Sequence, residues 1–224
     1  MALDFHDKAF FMNKIKEIIA LLEKAYPDAR LILNYANPFQ LLVSAILAAQ
    51  CTDERVNQVT STLFKKYKMP VDFANAVPED LEKEIKSTGF YRNKAKHIIH
   101  ASIKIVNSFD GIVPSDINRL MELEGVARKT ANMIMSNAFG LPCGIAVDTH
   151  VKRVTYRLDF TKHTDPDKIE QDLLKKVPID KWKQFPLIIA MHGRTVCQAR
   201  KPRCNQCPVE NLCYSEDKPE TAHK

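Results

Sequence analysis

The chain has 224 residues, 45% hydrophobic and 27% charged, the balance of a globular protein with material for one large core or two small ones. Lys and Arg number 33 against 27 Asp and Glu, so the formal charge is +6, mildly basic and compatible with an anionic partner. No apolar run is long enough to span a bilayer, which excludes a membrane protein; the opening "MALDFHDKAFFMNKIK" carries acidic residues and no apolar signal core, so a cytoplasmic location is expected.

Helical spacing dominates from the start. Phe11, Ile15, Ile18, Ile19 and Leu22 recur at three- and four-residue steps, which predicts an amphipathic helix. Asn37 and Pro38 read as N-cap and first helical residue for the apolar run to Ala49. Asp53 is expected to cap a helix bearing Val56, Val59, Leu63 and Phe64, and Pro78 opens another that Gly89 stops. Ile98, Ile99, Ile103 and Val106 give the next stripe. Ser115 is expected to cap a short helix ending at "LEGVA", and "RKTANMIMSNAF" carries the pattern onward. Beyond "GLPCG" (140–144), Ile169, Leu173, Leu174 and Val177 share a face. Strand-like alternation is almost absent, so the fold class is all-α, with "GLPCG" the expected boundary between two subdomains. The polar tail after Cys213 is expected to fray.

Six cysteines in a reducing compartment point to metal or chemistry rather than disulfides. Four of them, Cys197, Cys204, Cys207 and Cys213, fall within "CQARKPRCNQCPVENLC" with gaps of six, two and five residues. Short loops let four thiolates face one inorganic centre. Structural zinc sites more often pair two short knuckles, and only one C-x2-C is present. The spacing suits an iron–sulfur cluster better, although thiolates serve both metals. Cys51 and Cys143 stand apart and read as small buried residues. Between the first two cysteines of the group, Arg200, Lys201 and Arg203 lie on a short loop stiffened by Pro202. A rigid basic loop suits phosphate contacts because little freedom remains to be lost, and an ordinary solvated charge run has the same composition.

In "LEGVARKTA" (123–131), Leu123-Glu124-Gly125-Val126 suits a type II turn with Gly125 at the positive-φ position. A helix then starts near Ala127, and its first amides make an anion site. Lys129 falls in that first turn, where the helix dipole and neighbouring Arg128 favour the neutral, nucleophilic amine. A surface lysine on an exposed turn is the ordinary alternative. In "IAVDTHVKR", Asp148 follows Ile145, Ala146 and Val147 and is placed to cap the next helix. Its carboxylate could also stabilise a positive sugar centre or move a proton.

"AAQCTD", "LEGVARKTANMI", "AVDTH" and "HGRTVCQARKPRCNQCPVENLC" succeed one another between residues 48 and 213. On these motifs the chain resembles the endonuclease III family of helix-hairpin-helix DNA glycosylases. The resemblance implies a two-domain all-α fold: a six-helix barrel over 29–141 with the hairpin, and a helical domain of 1–28 and 142–224 carrying a 4Fe-4S cluster. It implies damaged double-stranded DNA as partner, bound across the cleft between domains by a monomer, at the nucleoid if the source is bacterial or archaeal. Lys129 would be the catalytic lysine, Asp148 the catalytic aspartate, and Cys197, Cys204, Cys207 and Cys213 the cluster ligands. Gln50 would fill the duplex beside the extruded nucleotide and Phe90 would wedge beside the opposite strand. Gly125, Ala127 and Thr130 of the hairpin, with Arg200, Lys201 and Arg203, would contact the DNA backbone.

The implied activity is base-excision repair. An oxidised or ring-damaged pyrimidine is displaced through a lysine Schiff base, and the abasic site is cut by β-elimination. Two residues depart from the family's hairpin, which usually has Pro where Glu124 stands and Gly where Ala127 stands. Both departures are expected to weaken phosphate binding, so that Glu124→Pro and Ala127→Gly each tighten it. An adenine-mismatch glycosylase is the nearest alternative. That branch typically lacks the lysine and uses an early glutamate, whereas no acid lies between Ser44 and Cys51 here. A non-catalytic helix-hairpin-helix DNA-binding protein is the other, and the presence of both Lys129 and Asp148 argues against it.

Overall fold

The computed structural model describes residues 5–213, 215, 216 and 218, with side chains from residue 12 onward. Phe11's side chain and most of the tail expected to fray lie outside the described residues. Among those described, the secondary structure is helical, with no strand, and no helix is long and apolar enough to cross a membrane.

Two compact units form. One is Leu31–Cys143; the other joins Met1–Arg30 to Gly144–Lys224. The second begins with α1 (Phe5–Ala25), whose Ile15, Ile18, Ile19 and Leu22 are buried at the predicted spacing. They pack with apolar residues of α9 (Thr149–Arg157), α10 (Pro166–Lys176) and α11 (Phe185–Thr195) around Phe160 and Phe185.

The Leu31–Cys143 unit holds α2 (Pro38–Leu47), α3 (Asp53–Lys66), α4 (Pro70–Ala74), α5 (Pro78–Ile85), α6 (Tyr91–Ser108), α7 (Ile117–Met121) and α8 (Arg128–Ala138). Its core gathers Leu41, Leu42 and Leu47 of α2 with Phe73, Leu81, Ile98, Leu120 and Ile134. Asn37 caps α2 by accepting the Gln40 amide, as its sequence predicts. Gly89, at φ 70, ends the 3-10 turn that succeeds α5.

Three local expectations are corrected. Thr52, rather than Asp53, caps α3 by accepting the Arg55 amide; Asp53 is the first helical residue, where its charge meets the positive end of the dipole. Asp116, rather than Ser115, caps α7 through the Arg119 amide at 2.9 Å. On α6 the inward face runs Ile98, Ala101, Ser102 and Ile105, while Ile103 is 39% exposed. Five residues beyond Ile98, Ile103 is rotated roughly 140° from it.

Candidate functional site

The hairpin between α7 and α8 is built by its apolar residues. Leu123 and Val126 are buried, and the Val126 amide closes the turn on the Leu123 carbonyl at 3.1 Å. Gly125 has φ 80, the third position of a type II turn. His97 of α6 lies directly beneath: a Cβ on Gly125 would sit 3.1 Å from the His97 Cβ and Nδ1. Glycine therefore serves both the backbone angle and the close approach.

Ala127 is the N-cap of α8 with φ −85 and ψ 168 and supplies no side-chain cap. This alanine carries no left-handed strain, so glycine has no conformational advantage there. Asn37, Thr52, Asp148 and Asp165 close the N-termini of α2, α3, α9 and α10 with side chains. At α8 the N-cap residue, Ala127, gives no such closure, and helix-terminal amides suit an anion. Lys129 is exposed on this first turn, with Thr130 half-buried beside it.

Glu124 meets His100 of α6 at 2.7 Å. That hydrogen bond holds the Glu124 carboxyl below its usual range. The carboxylate thus has a partner of its own, one that no local pattern reveals, since the two lie 24 positions apart.

Asp148 caps α9: its Oδ1 accepts the Val151 amide at 2.7 Å. Ile145 and Val147 are buried and anchor the approach, leaving the carboxylate half-buried. Burial lowers the pKa of the adjacent His150, against the pull of Asp148.

The same helix braces the cysteine loop, a role that sequence reasoning missed. Arg153 donates to the carbonyls of Gly193 at 2.8 Å and Cys197 at 3.1 Å. Arg157 donates to the Gln198 carbonyl at 2.7 Å and lies 3.5 Å from the Cys197 sulfur. Their i,i+4 spacing in "HVKRVTYR" was the available signal.

Cys197, Cys204, Cys207 and Cys213 all line one open pocket, together with Arg157 and His192. Among the described residues no three His, Cys, Asp or Glu side chains are grouped to hold a single metal ion. A tetrahedral zinc site, with sulfurs about 2.3 Å from one ion, is therefore not preformed. Four thiols lining one pocket are the donor set that holds a 4Fe-4S cluster. Burial pushes the Cys207 thiol up to about 11 and His192 down to about 4. His192 hydrogen-bonds the Tyr26 hydroxyl at 2.9 Å through Nδ1, and its Nε2 lies 3.7 Å from the Cys207 sulfur. Cys51 is half-buried, but Cys143 is exposed, contrary to the buried role expected of it.

Gln50, Phe90 and Lys201 share one property. Each is a non-glycine residue in the left-handed region, at φ 54, 47 and 53. All three are exposed, Phe90 at 63%. Such conformations persist only where the surroundings enforce them, and they concentrate at ligand contacts. Arg200 and Arg203 are exposed on either side of Lys201.

Residues 43–179 match the family model described as "HhH-GPD superfamily base excision DNA repair protein". Endonuclease III of Synechocystis sp. is 52% identical over 203 residues, covering 91% of this chain and 93% of that protein. Endonuclease III of Escherichia coli K12 is 39% identical, covering 92% and 99%. The structure of a trapped endonuclease III–DNA covalent intermediate superposes with a TM-score of 0.87 at 42% identity, covering 91% of this chain and 95% of that one.

Proposed function

The chain belongs to the endonuclease III family, the bifunctional DNA glycosylases and AP lyases of base-excision repair, and on that premise we propose that Lys129 is its nucleophile and Asp148 its charge-stabilising carboxylate. The observation that carries the reading is the placement of Lys129 on the exposed first turn of α8, beside an N-terminus whose N-cap residue, Ala127, supplies no side-chain cap. A phosphate at the hairpin amides fixes the backbone next to an amine able to reach a sugar.

The substrate is duplex DNA carrying an oxidised or ring-damaged pyrimidine. The damaged nucleotide leaves the stack; Gln50 fills the duplex beside it, and Phe90 wedges beside the opposite strand. The amine of Lys129 attacks C1′ and gives up a proton; the C1′–N bond breaks and the base departs with its electron pair, taking up a proton. Asp148 stabilises the positive sugar and moves protons. Opening of the sugar gives a Schiff base on Lys129, which acidifies the C2′ hydrogen. Loss of that proton expels the 3′ phosphate, and water releases the lysine. Endonuclease III has been trapped as a covalent DNA intermediate, which supports a covalent route.

Cys197, Cys204, Cys207 and Cys213 hold a 4Fe-4S cluster in this reading. Bound there, such a cluster would hold rigid the loop of Arg200, Lys201 and Arg203, whose charges meet phosphates. Borohydride trapping on a thymine glycol duplex tests the assignment. A covalent adduct that disappears in Lys129→Gln supports it, and an undiminished adduct in that variant overturns it.

A further inference from the structure

Lys94, on the first turn of α6, is 3% exposed, and the proposed chemistry does not use it. Its Nζ donates to the Leu47 carbonyl at 2.7 Å and to the Thr88 carbonyl at 2.8 Å. Both acceptors end a helical segment. Leu47 is the last residue of α2, and Thr88 the last of the 3-10 turn Lys86–Thr88. The Cys51 amide, which a continuing helix would direct to Leu47, turns to the Ala48 carbonyl at 3.2 Å. One buried amine thus satisfies two C-terminal carbonyls at once, at the negative ends of two helical segments.

Each of these carbonyls lies just ahead of a residue expected to enter the duplex. Gln50, at φ 54, stands three residues beyond Leu47; Phe90, at φ 47, stands two beyond Thr88. Both are exposed, left-handed non-glycine residues, a conformation that needs external constraint. An apolar residue in place of Lys94 would leave two buried carbonyls unsatisfied and release the ends of both loops together. Burial lowers the Lys94 pKa, with Cys51 acting against the shift, and either protonation state retains enough N–H groups for both carbonyls.

We propose that Lys94 is a positioning residue that fixes the spacing of Gln50 and Phe90, so that both side chains enter the duplex as one unit. The proposal rests on the reading of those two residues as duplex-inserting. Single-stranded abasic DNA needs no insertion, and this separates positioning from general damage to the fold.

Lys94→Met is expected to lower kcat/KM on a thymine glycol duplex by about tenfold or more, while single-stranded abasic cleavage stays within about twofold. A 2-aminopurine opposite the lesion should lose its fluorescence rise on binding. With Gln50→Ala or Phe90→Ala already present, Lys94→Met should add less than about twofold on duplex. Equal loss on single and double strands, or full additivity with both alanine variants, overturns the proposal. If Gln50→Ala and Phe90→Ala leave duplex cleavage unchanged, the insertion reading itself fails, and the proposal with it. Should Lys94→Met not fold, Lys94→Gln, which keeps a buried donor for one carbonyl, carries the same cycle.

Discussion

Asp148 Oδ1 accepts the Val151 amide at 2.7 Å, so the carboxylate proposed for catalysis is also the N-cap of α9. The two roles separate because asparagine caps as well as aspartate but carries no charge. Asp148→Asn should keep the unfolding free energy within about 0.5 kcal/mol while base release slows about a hundredfold. Asp148→Ala should lose the same activity and a further ~1 kcal/mol of stability. Urea unfolding and single-turnover cleavage measure the pair. Wild-type turnover in Asp148→Asn would leave the residue a cap alone.

The Glu124–His100 contact sets a second expectation, for the hairpin. Hydrogen bonding to His100 holds the Glu124 carboxyl below its usual range. A carboxylate with a lowered folded-state pKa contributes stability above its unfolded pKa and loses it as pH falls through the folded value. Glu124→Gln should therefore be the less stable protein near neutrality, with the difference closing in acid. The same substitution should tighten DNA binding about two- to threefold at low salt, because an anion beside the α8 terminus is removed. Ala127→Gly relieves no left-handed strain and should change affinity by less than about twofold. NMR titration of Glu124 and salt-dependent binding of both variants decide it.

The helices, the Gly125 turn, the Asn37 cap and the Asp148 cap are legible in the sequence because they obey local rules about φ, capping oxygens and apolar period. The caps of α3 and α7 fall one residue away from Asp53 and Ser115 because adjacent polar side chains compete for the same role, and only the chain's entry angle selects between them. Ile103 misleads because three apolar neighbours satisfy more than one helical phase. Lys94 and His100 give no local signal because their partners are tertiary: Leu47 lies 47 positions from Lys94, and Glu124 lies 24 from His100. At the cysteines, spacing picks out the four candidate ligands, and the structure adds that all four line one pocket.

The cavity makes the metal assignment testable without activity. Purified protein should be yellow-brown and contain about four irons per chain. Cys207→Ala should lose colour and iron, whereas Cys51→Ala and Cys143→Ala, whose thiols lie outside the cavity lining, should retain both. Colourless protein with about one zinc per chain would replace the cluster with a structural zinc site. Elemental analysis and visible absorbance are sufficient.

The basic loop should act through charge. Arg200, Lys201 and Arg203 are exposed, and Lys201 sits at φ 53. Asparagine tolerates that region, so Lys201→Asn removes the charge without straining the loop. Each lost phosphate contact should reduce the slope of log affinity against log salt by about 0.9, uniformly across DNA sequences. Single-turnover rates at saturating DNA should be unchanged. A rate loss with an unaltered salt slope would place these residues in the chemistry instead.

Gly125 and Gly140 allow the hairpin's packing to be separated from its backbone angle. Both have positive φ, 80 and 68, so alanine at either carries a left-handed penalty of roughly 1–2 kcal/mol. A Cβ on Gly140 meets nothing within 4 Å, whereas one on Gly125 meets His97 at 3.1 Å. Gly125→Ala should therefore be the less stable variant, by about 1 kcal/mol beyond the shared penalty. It should also weaken duplex binding, since the turn must lift away from α6 and carry the α8 amides with it. Adding His97→Ala, which removes the ring but keeps the Cβ at 3.1 Å, should recover only part of the excess loss and leave the angular one. If Gly125→Ala and Gly140→Ala prove equally stable, His97 yields at no cost, and glycine is needed at 125 for its φ alone.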